Sequence, residues 1–236
     1  MTNGHNMRVF WRVVKWSISL LLVLICGILG WRLCSSGDPE QVKYLINNPA
    51  LQEAYDEHGK NLTLQYQMQD TITTAEYNRG YFSVTQYVFI PEAHQVQLVF
   101  RYNNSTIKNL ARDYGLEKIP EKSEELFDVT LLTTIDLTPD NCEDNDNTDA
   151  LEMKRYHPSA AVRTETSLYT YYRFVFDGVE VTPETLFVFA DIYYKEDLNY
   201  DKRPMGTLCL YDDESAWVSY KLSGKERRML AKKEEN

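Results

Sequence analysis

The hydrophobic pattern begins with one continuous apolar run near the N-terminus. Residues 16–31, WSISLLLVLICGILGW, contain no charged side chain, and two serines and two glycines are the only interruptions. A helix of this length covers roughly 24 Å, and Lys15 and Arg32 beside it can raise their charges into the headgroups around a hydrocarbon core of about 30 Å. The run therefore predicts a transmembrane helix over residues 16–33.

Charges around this helix predict its orientation. Arg8, Arg12 and Lys15 precede it and no acidic residue does, and basic residues favour the cytoplasmic side of a membrane. We therefore expect residues 1–15 to be a cytoplasmic tail of a single-pass cell-membrane protein whose C-terminal part is extracytoplasmic. A cleaved signal peptide is the alternative, because the small side chains of CSSG at 34–37 follow the run, but the run is long for a signal sequence.

Beyond residue 60 the apolar positions repeat every second residue. In LTLQYQM at 62–68 the apolar and polar side chains alternate, which is typical of a strand with one solvated face. No helix is regularly interposed between such segments, which favours antiparallel sheets over βαβ units. Further strands are predicted in YFSVTQYVFI (81–90), QVQLVFRY (95–102), LFDVTLLTTIDL (126–137), SLYTYYRFVFDGVEV (167–181), LFVFADIYY (186–194), GTLCLY (206–211) and AWVSYKL (216–222).

Turn signals connect these strands. PEAH at 91–94 has the length of a hairpin loop, and Asp177-Gly178 is the dipeptide best suited to a tight two-residue hairpin turn. STIKNLARDYG at 105–115 predicts a short helix. We expect a mainly β domain over residues 61–222.

Helix signals flank this domain. Asp38-Pro39 starts a helical stalk or lid over residues 34–60, which Asn48-Pro49 breaks. At the other end, Ser223 and Glu226 have the spacing of a capping box that opens a short basic helix over residues 223–236.

One short segment refines the expected fold. RYNNST at 101–106 resembles the strand-end pattern of bacterial immunoglobulin-like modules. The expected architecture is therefore an antiparallel β-sandwich of immunoglobulin-like type with a few short helices, preceded by one transmembrane helix.

The exported part is strongly acidic. Of 25 basic residues in the chain, four precede residue 33, whereas none of the 35 acidic residues does, so residues 33–236 have a net charge of 21 minus 35, or −14. Such a charge repels nucleic acid and anionic lipid and attracts basic partners. We expect no nucleic-acid binding.

Two residues suggest catalysis. Cys209 lies in GTLCLYD, which resembles the nucleophile region of the sortases, and His157 lies 52 positions upstream. The resemblance implies an envelope cysteine transpeptidase or hydrolase of sortase-like type, with Cys209 as nucleophile and His157 as base. The segment departs from the family pattern because Leu208 adjoins the cysteine and no arginine follows closely. Cys209 and Cys142 are alternatively a disulfide pair.

The polar loop TPDNCEDNDNTD at 138–149 resembles a calcium loop only weakly. Asn141, Glu143 and Asn145 alternate, but Asp146 stands where such a loop needs glycine. We therefore predict no metal site and no cofactor.

Aromatic side chains suggest binding instead. Several of them stand opposite the more uniformly apolar face of their strands, where neighbouring rings can form a platform that stacks on sugars or contacts a protein. A role in the core, with both sheet faces covered, is the alternative. The predicted binding residues are Tyr81, Tyr87, Phe89, Tyr169, Tyr171, Phe187 and Tyr193.

These observations favour a membrane-anchored, extracytoplasmic, non-catalytic binding or assembly module of the cell envelope. The expected partner is another envelope protein or a wall glycan, and the sortase-like enzyme is the alternative function.

Overall fold

The chain divides into two compact units, residues 1–37 and 38–236. The structure is a computed structural model. It describes residues 3–35, 37–67, 82–113, 117–121, 126–136, 151–181, 185–201, 204–212 and 218–231.

The first unit is a single long helix, α1, spanning Asn3–Ser35. Its 33 residues extend over roughly 50 Å, longer than the predicted membrane span, because no proline interrupts the residues that precede the apolar run. The segment Trp11–Trp31 has a mean hydropathy of 2.2 and none of it is buried. By length and composition, this apolar helix is a candidate membrane span or signal anchor.

The second unit is mostly β structure, arranged in two antiparallel sheets. A six-stranded sheet has the order β10-β1-β2-β3-β7-β6, and a four-stranded sheet has the order β5-β4-β8-β9. The strands are β1 Gln65–Gln67, β2 Phe82–Ile90, β3 Gln95–Asn103, β4 Phe127–Asp136, β5 Leu151–Tyr156, β6 Ala160–Glu165, β7 Tyr169–Asp177, β8 Thr185–Tyr194, β9 Gly206–Asp212 and β10 Val218–Ser219.

A few short helices accompany the sheets. Single 3-10 turns cover Gly59–Asn61, Pro91–Ala93 and Lys195–Asp197. The α-helices of this unit are α2 Glu40–Lys43, α3 Pro49–His58, α4 Thr106–Asp113 and α5 Gly224–Ala231.

The two sheets share one apolar core, to which each contributes every second side chain of its strands. Phe127 of the four-stranded sheet makes edge contacts with Phe82 and Tyr102 of the six-stranded sheet, at ring-centroid distances of 5.1 and 5.0 Å. The predicted mainly β, antiparallel fold with a few helices is confirmed. Its immunoglobulin-like character is not.

The predicted turns have different outcomes. Residues 91–94 do connect β2 to β3, through a 3-10 turn and His94 in the left-handed conformation at φ 45°. The hairpin predicted at Asp177-Gly178 is wrong, because β7 pairs with β3 and β6 whereas the next strand belongs to the other sheet. After Gly178 the Val179 N–H donates to the His94 carbonyl at 2.8 Å.

The sequence pattern did not predict two of the strands. LEMKRY forms β5 and AAVRTE forms β6, each at one edge of its sheet in the described chain. An edge strand packs against a neighbour on one side only, so its sequence tolerates charges that blur the alternation.

The outer face of the six-stranded sheet is covered by the segment that contains α2. Arg173 of β7 is fully buried there and donates from Nε to the Val42 carbonyl at 2.7 Å and from Nη2 to the Lys43 carbonyl at 3.2 Å. It also donates to the side-chain oxygens of Gln86 and Gln97. The segment predicted as a stalk or lid thus contacts the sheet from Asp38 onward, where the Asp38 carboxylate accepts from the Thr85 hydroxyl at 2.9 Å.

The C-terminal helix is tied to the same segment. Glu226 is fully buried, and its carboxylate accepts from Leu45 N–H at 3.0 Å, Ser223 N–H at 2.7 Å and the Tyr220 hydroxyl at 2.8 Å. The Ser223 hydroxyl accepts from Glu226 N–H at 3.2 Å. The predicted capping box is therefore confirmed, with the additional bond to Leu45.

Candidate functional site

The predicted aromatic residues belong to both sheets. Tyr87 and Phe89 lie on β2, Tyr169 and Tyr171 on β7, and Tyr193 on β8. Phe187 is also on β8, opposite Thr134 of β4, and Tyr81 lies outside the described residues. The structure therefore does not bring this set onto one surface.

Burial separates these rings further. Tyr87, Phe89, Tyr171 and Tyr193 are at most 5% exposed, whereas Tyr169 is half-buried. Tyr87 and Phe89 point into the core between the sheets. Four of the five described rings thus present no platform to solvent in this conformation, and a binding role for the set stays a prediction.

Two of the predicted residues join a cation–aromatic cluster on the outer face of the six-stranded sheet. The Arg101 guanidinium lies 4.7 Å from the ring centroid of Tyr169 and 5.9 Å from that of Tyr171. Arg101 Nε also donates to the Ser83 hydroxyl at 3.1 Å. Burial raises the pKa of Tyr171, so its hydroxyl is neutral at physiological pH.

A second cluster surrounds Tyr193 on the outer face of the four-stranded sheet. Arg155 Nη1 donates to the Tyr193 hydroxyl at 2.9 Å and to the Thr130 hydroxyl at 3.1 Å. Tyr200 lies over this group, with its ring centroid 5.2 Å from that of Tyr193 and 5.3 Å from that of His157. Tyr200, in the loop after β8, thereby covers the Tyr193 ring on the outer face of the four-stranded sheet.

A buried carboxylate completes this second cluster. Asp191 is 6% exposed, accepts from the Thr207 hydroxyl at 2.8 Å, and lies 3.9 Å from Arg155 Nη1. Burial raises the pKa of Asp191 despite these partners, because desolvation disfavours its charged form. The mutual pairing of these side chains fits a structural network better than a ligand site.

The proposed catalytic pair is separated by the sheet. Cys209 pairs with Phe189 of β8, whereas His157 follows β5. Since β4 and β8 lie between β5 and β9, roughly 14 Å separates the two backbones at about 4.8 Å per strand. A nucleophile and its base need hydrogen-bond contact, so the fold does not bring these side chains together.

The residues considered above as calcium ligands lie in a part of the chain that the structure does not describe. The loop over 138–149, including Cys142, lies outside the described residues. Within the described ranges no group of three or more His, Cys, Asp or Glu side chains is placed to hold a metal ion.

An open cleft that the sequence patterns did not indicate lies between α3, β10 and α5. It has a volume of about 270 Å³. Its apolar wall is formed by Leu62, Leu64 and Leu222, with the rings of Tyr55 and Tyr220 beside them. We call this space the basic cleft, because three cations also line it.

The cations of the basic cleft come from three elements. Lys60 lies in the 3-10 turn after α3, Lys221 follows β10, and Arg227 lies on α5. All three are exposed, and among the described residues that line the cleft none is acidic. A local positive charge thus stands out in a unit whose overall charge is strongly negative.

Local sequence explains how the cleft is shaped. Gly59 ends α3 with φ 55°, a left-handed conformation that glycine adopts without strain. Its N–H donates to the Tyr55 carbonyl. The chain then reverses into β1, which leaves Lys60 at the mouth of the cleft.

The three cations of the basic cleft are visible in the sequence only as separate residues. Lys60, Lys221 and Arg227 are far apart in sequence and belong to no motif. They meet because β10 pairs with β1 and because Glu226 fixes α5 against residue 45. Only the long-range pairing reveals them as one group.

The chain matches no family model, no curated protein and no solved structure at a significant level.

Proposed function

We propose that this chain is a membrane-anchored, non-catalytic binding or assembly module whose two-sheet unit lies outside the cytoplasm. The observation that supports it is α1, an unburied apolar helix preceded by Arg8, Arg12 and Lys15. Unburied apolar side chains are favourable in lipid, and the basic residues favour the cytoplasmic side.

The architecture of the exported unit supports a binding role. Two sheets that share a core give a rigid scaffold. The proposed fold of this scaffold is a β-sandwich of immunoglobulin-like type. The acidic charge of this unit repels anionic polymers. A protein of the envelope is therefore a better partner than a polyanion, and a neutral wall glycan is the other partner in this proposal.

Membrane retention tests the anchor. The wild-type chain should stay in the membrane fraction after alkaline carbonate washing, whereas Leu21→Arg combined with Leu24→Arg should release it, because each central charge costs about 2.5–3.5 kcal/mol of insertion. Leu21→Ile with Leu24→Ile is the matched control and should behave as the wild type. Extraction of the wild-type chain by carbonate would refute the anchor.

Protease accessibility tests the location of the two-sheet unit. Protease added to intact cells with an accessible surface membrane should digest residues beyond the helix, and the tail before it should be protected. Protection of the two-sheet unit until the cells are lysed would overturn the proposed topology.

A further inference from the structure

The strand β10 forms an open edge of the six-stranded sheet. Tyr220 N–H donates to the Leu64 carbonyl at 2.8 Å, and Val218 pairs with Tyr66, so residues 218 and 220 face β1. Backbone groups alternate in direction along a strand. The N–H and C=O groups of Ser219 therefore point to the other side, where the described chain supplies no strand.

This edge borders the basic cleft directly. Ser219 and Lys221 both line the cleft, and Val218 next to them is 57% exposed. An extended peptide laid along β10 would thus satisfy the outward backbone groups. Its alternate side chains would reach the apolar wall at Leu62 and Leu222.

Charge decides which peptide fits. Lys60, Lys221 and Arg227 have no ion-pair partner within the described part of the chain, and their side chains surround the same space. A carboxylate in the cleft would meet three cations, whereas most of the remaining surface of this acidic unit repels it.

We propose that the edge of β10 and the basic cleft form a docking site for an extended acidic segment of a partner protein, which adds as a strand to the six-stranded sheet. Main-chain bonds to Ser219 supply affinity, and carboxylates facing the three cations supply selectivity. This inference rests on the proposed binding function but not on the membrane anchor.

A peptide is a better occupant than an anionic lipid for a structural reason. A headgroup uses the cations alone, whereas the outward N–H and C=O of Ser219 also match a peptide main chain.

Binding to defined peptides tests the proposal with the full chain in neutral detergent. A labelled peptide of about ten residues that alternates Glu with Val should bind, as measured by fluorescence anisotropy, whereas its Lys-for-Glu counterpart should bind at least about ten-fold more weakly. The same peptide N-methylated at alternate backbone nitrogens should also lose about ten-fold, because it can no longer donate to a strand edge.

Protein variants locate the site. Lys60→Gln with Lys221→Gln and Arg227→Gln should weaken binding of the acidic peptide by about ten-fold, since each exposed ion pair contributes modestly. The matched control changes three other exposed cations, Lys108→Gln, Lys118→Gln and Arg228→Gln, and should retain the wild-type affinity. Ser219→Pro should abolish binding, whereas Ser219→Ala should not.

Four results would overturn the inference. They are equal affinity for the acidic and basic peptides, equal weakening by the cleft and control variants, undiminished binding of the N-methylated peptide, and binding only to vesicles containing phosphatidylglycerol. The peptide comparisons use the unaltered protein, so a Ser219→Pro variant that fails to fold does not affect them. Because detergent replaces the membrane, these results are independent of the carbonate and protease tests.

Discussion

At the scale of single residues, two buried charged groups hold this unit together by hydrogen bonds. Burial alone would raise the pKa of Glu226, but the N–H groups of Leu45 and Ser223 and the hydroxyls of Ser223 and Tyr220 outweigh it and lower that pKa. A carboxylate that accepts several hydrogen bonds is stabilised in its charged form. Glu226 therefore links residues 45, 220 and 223 most strongly while it is ionised.

Glu226→Gln should destabilise the two-sheet unit at pH 7 by about 1–3 kcal/mol, because an amide N–H₂ cannot accept from the donors that face the carboxylate. With a lowered folded pKa, the contribution of Glu226 is fully present above its ordinary value and is lost as the pH falls through the folded value. Urea unfolding at several pH values should show wild type and variant converging as the pH falls below the ordinary glutamate pKa of about 4.3.

The control is Glu53→Gln on the exposed side of α3, which should leave the free energy of unfolding at pH 7 unchanged. An unchanged gap between wild type and Glu226→Gln from pH 7 to pH 3 would contradict the assigned role. Asp191 has the opposite effect on stability. Because its pKa is raised in the folded state, its ionisation lowers the free energy of unfolding as the pH rises.

At the scale of elements, Arg173 fixes the helix α2 segment on the six-stranded sheet. Its guanidinium bonds to two carbonyls of that segment, and Val42 beside them packs against Val99 and Tyr171. Gln97 adds a pair of bonds to the backbone of Ile46, at 2.8 Å each. The outer sheet face is thus closed by polar contacts around a small apolar cluster.

Replacing Arg173 by Met should detach this segment, because the carbonyls of residues 42 and 43 would lose their buried donor. We expect a loss of about 3 kcal/mol in the free energy of unfolding, and hydrogen exchange of residues 40–48 should rise more than that of β4 and β8. Arg228→Met on the exposed side of α5 is the control. Equal exchange of residues 40–48 in wild type and Arg173→Met would refute the role of this side chain.

At the scale of the whole molecule, the proposed membrane orientation rests on a few charges. Arg8, Arg12 and Lys15 are the only charged residues before the apolar run. Changing all three to Glu removes the positive bias of the N-terminal side. Protease digestion of intact cells should then detect a smaller exported fraction. The control replaces each Arg by Lys and the Lys by Arg, and it should not alter that fraction. An unchanged exported fraction in the Glu variant would show that these charges do not set the orientation.

Much of the fold follows from local sequence. The apolar run, the alternation in β2, β3, β4 and β8, and the capping box at Ser223 each depend on neighbouring residues, and the structure contains all of them. The edge strands β5 and β6 were missed because partial exposure removes the constraint that makes a strand recognisable. The Asp177-Gly178 turn was misassigned because a turn-forming dipeptide does not specify which strand follows as a partner.

The sequence by itself determined the long apolar helix, the antiparallel β character and the uneven distribution of charge, since these depend on side-chain chemistry and periods of a few residues. Only the tertiary structure decided which rings are buried, that Cys209 and His157 stand apart, and that Lys60, Lys221 and Arg227 surround one cleft. The physical reason is that strand pairing joins residues more than 150 positions apart, as when Gln65 meets Ser219, and no local pattern encodes such a contact.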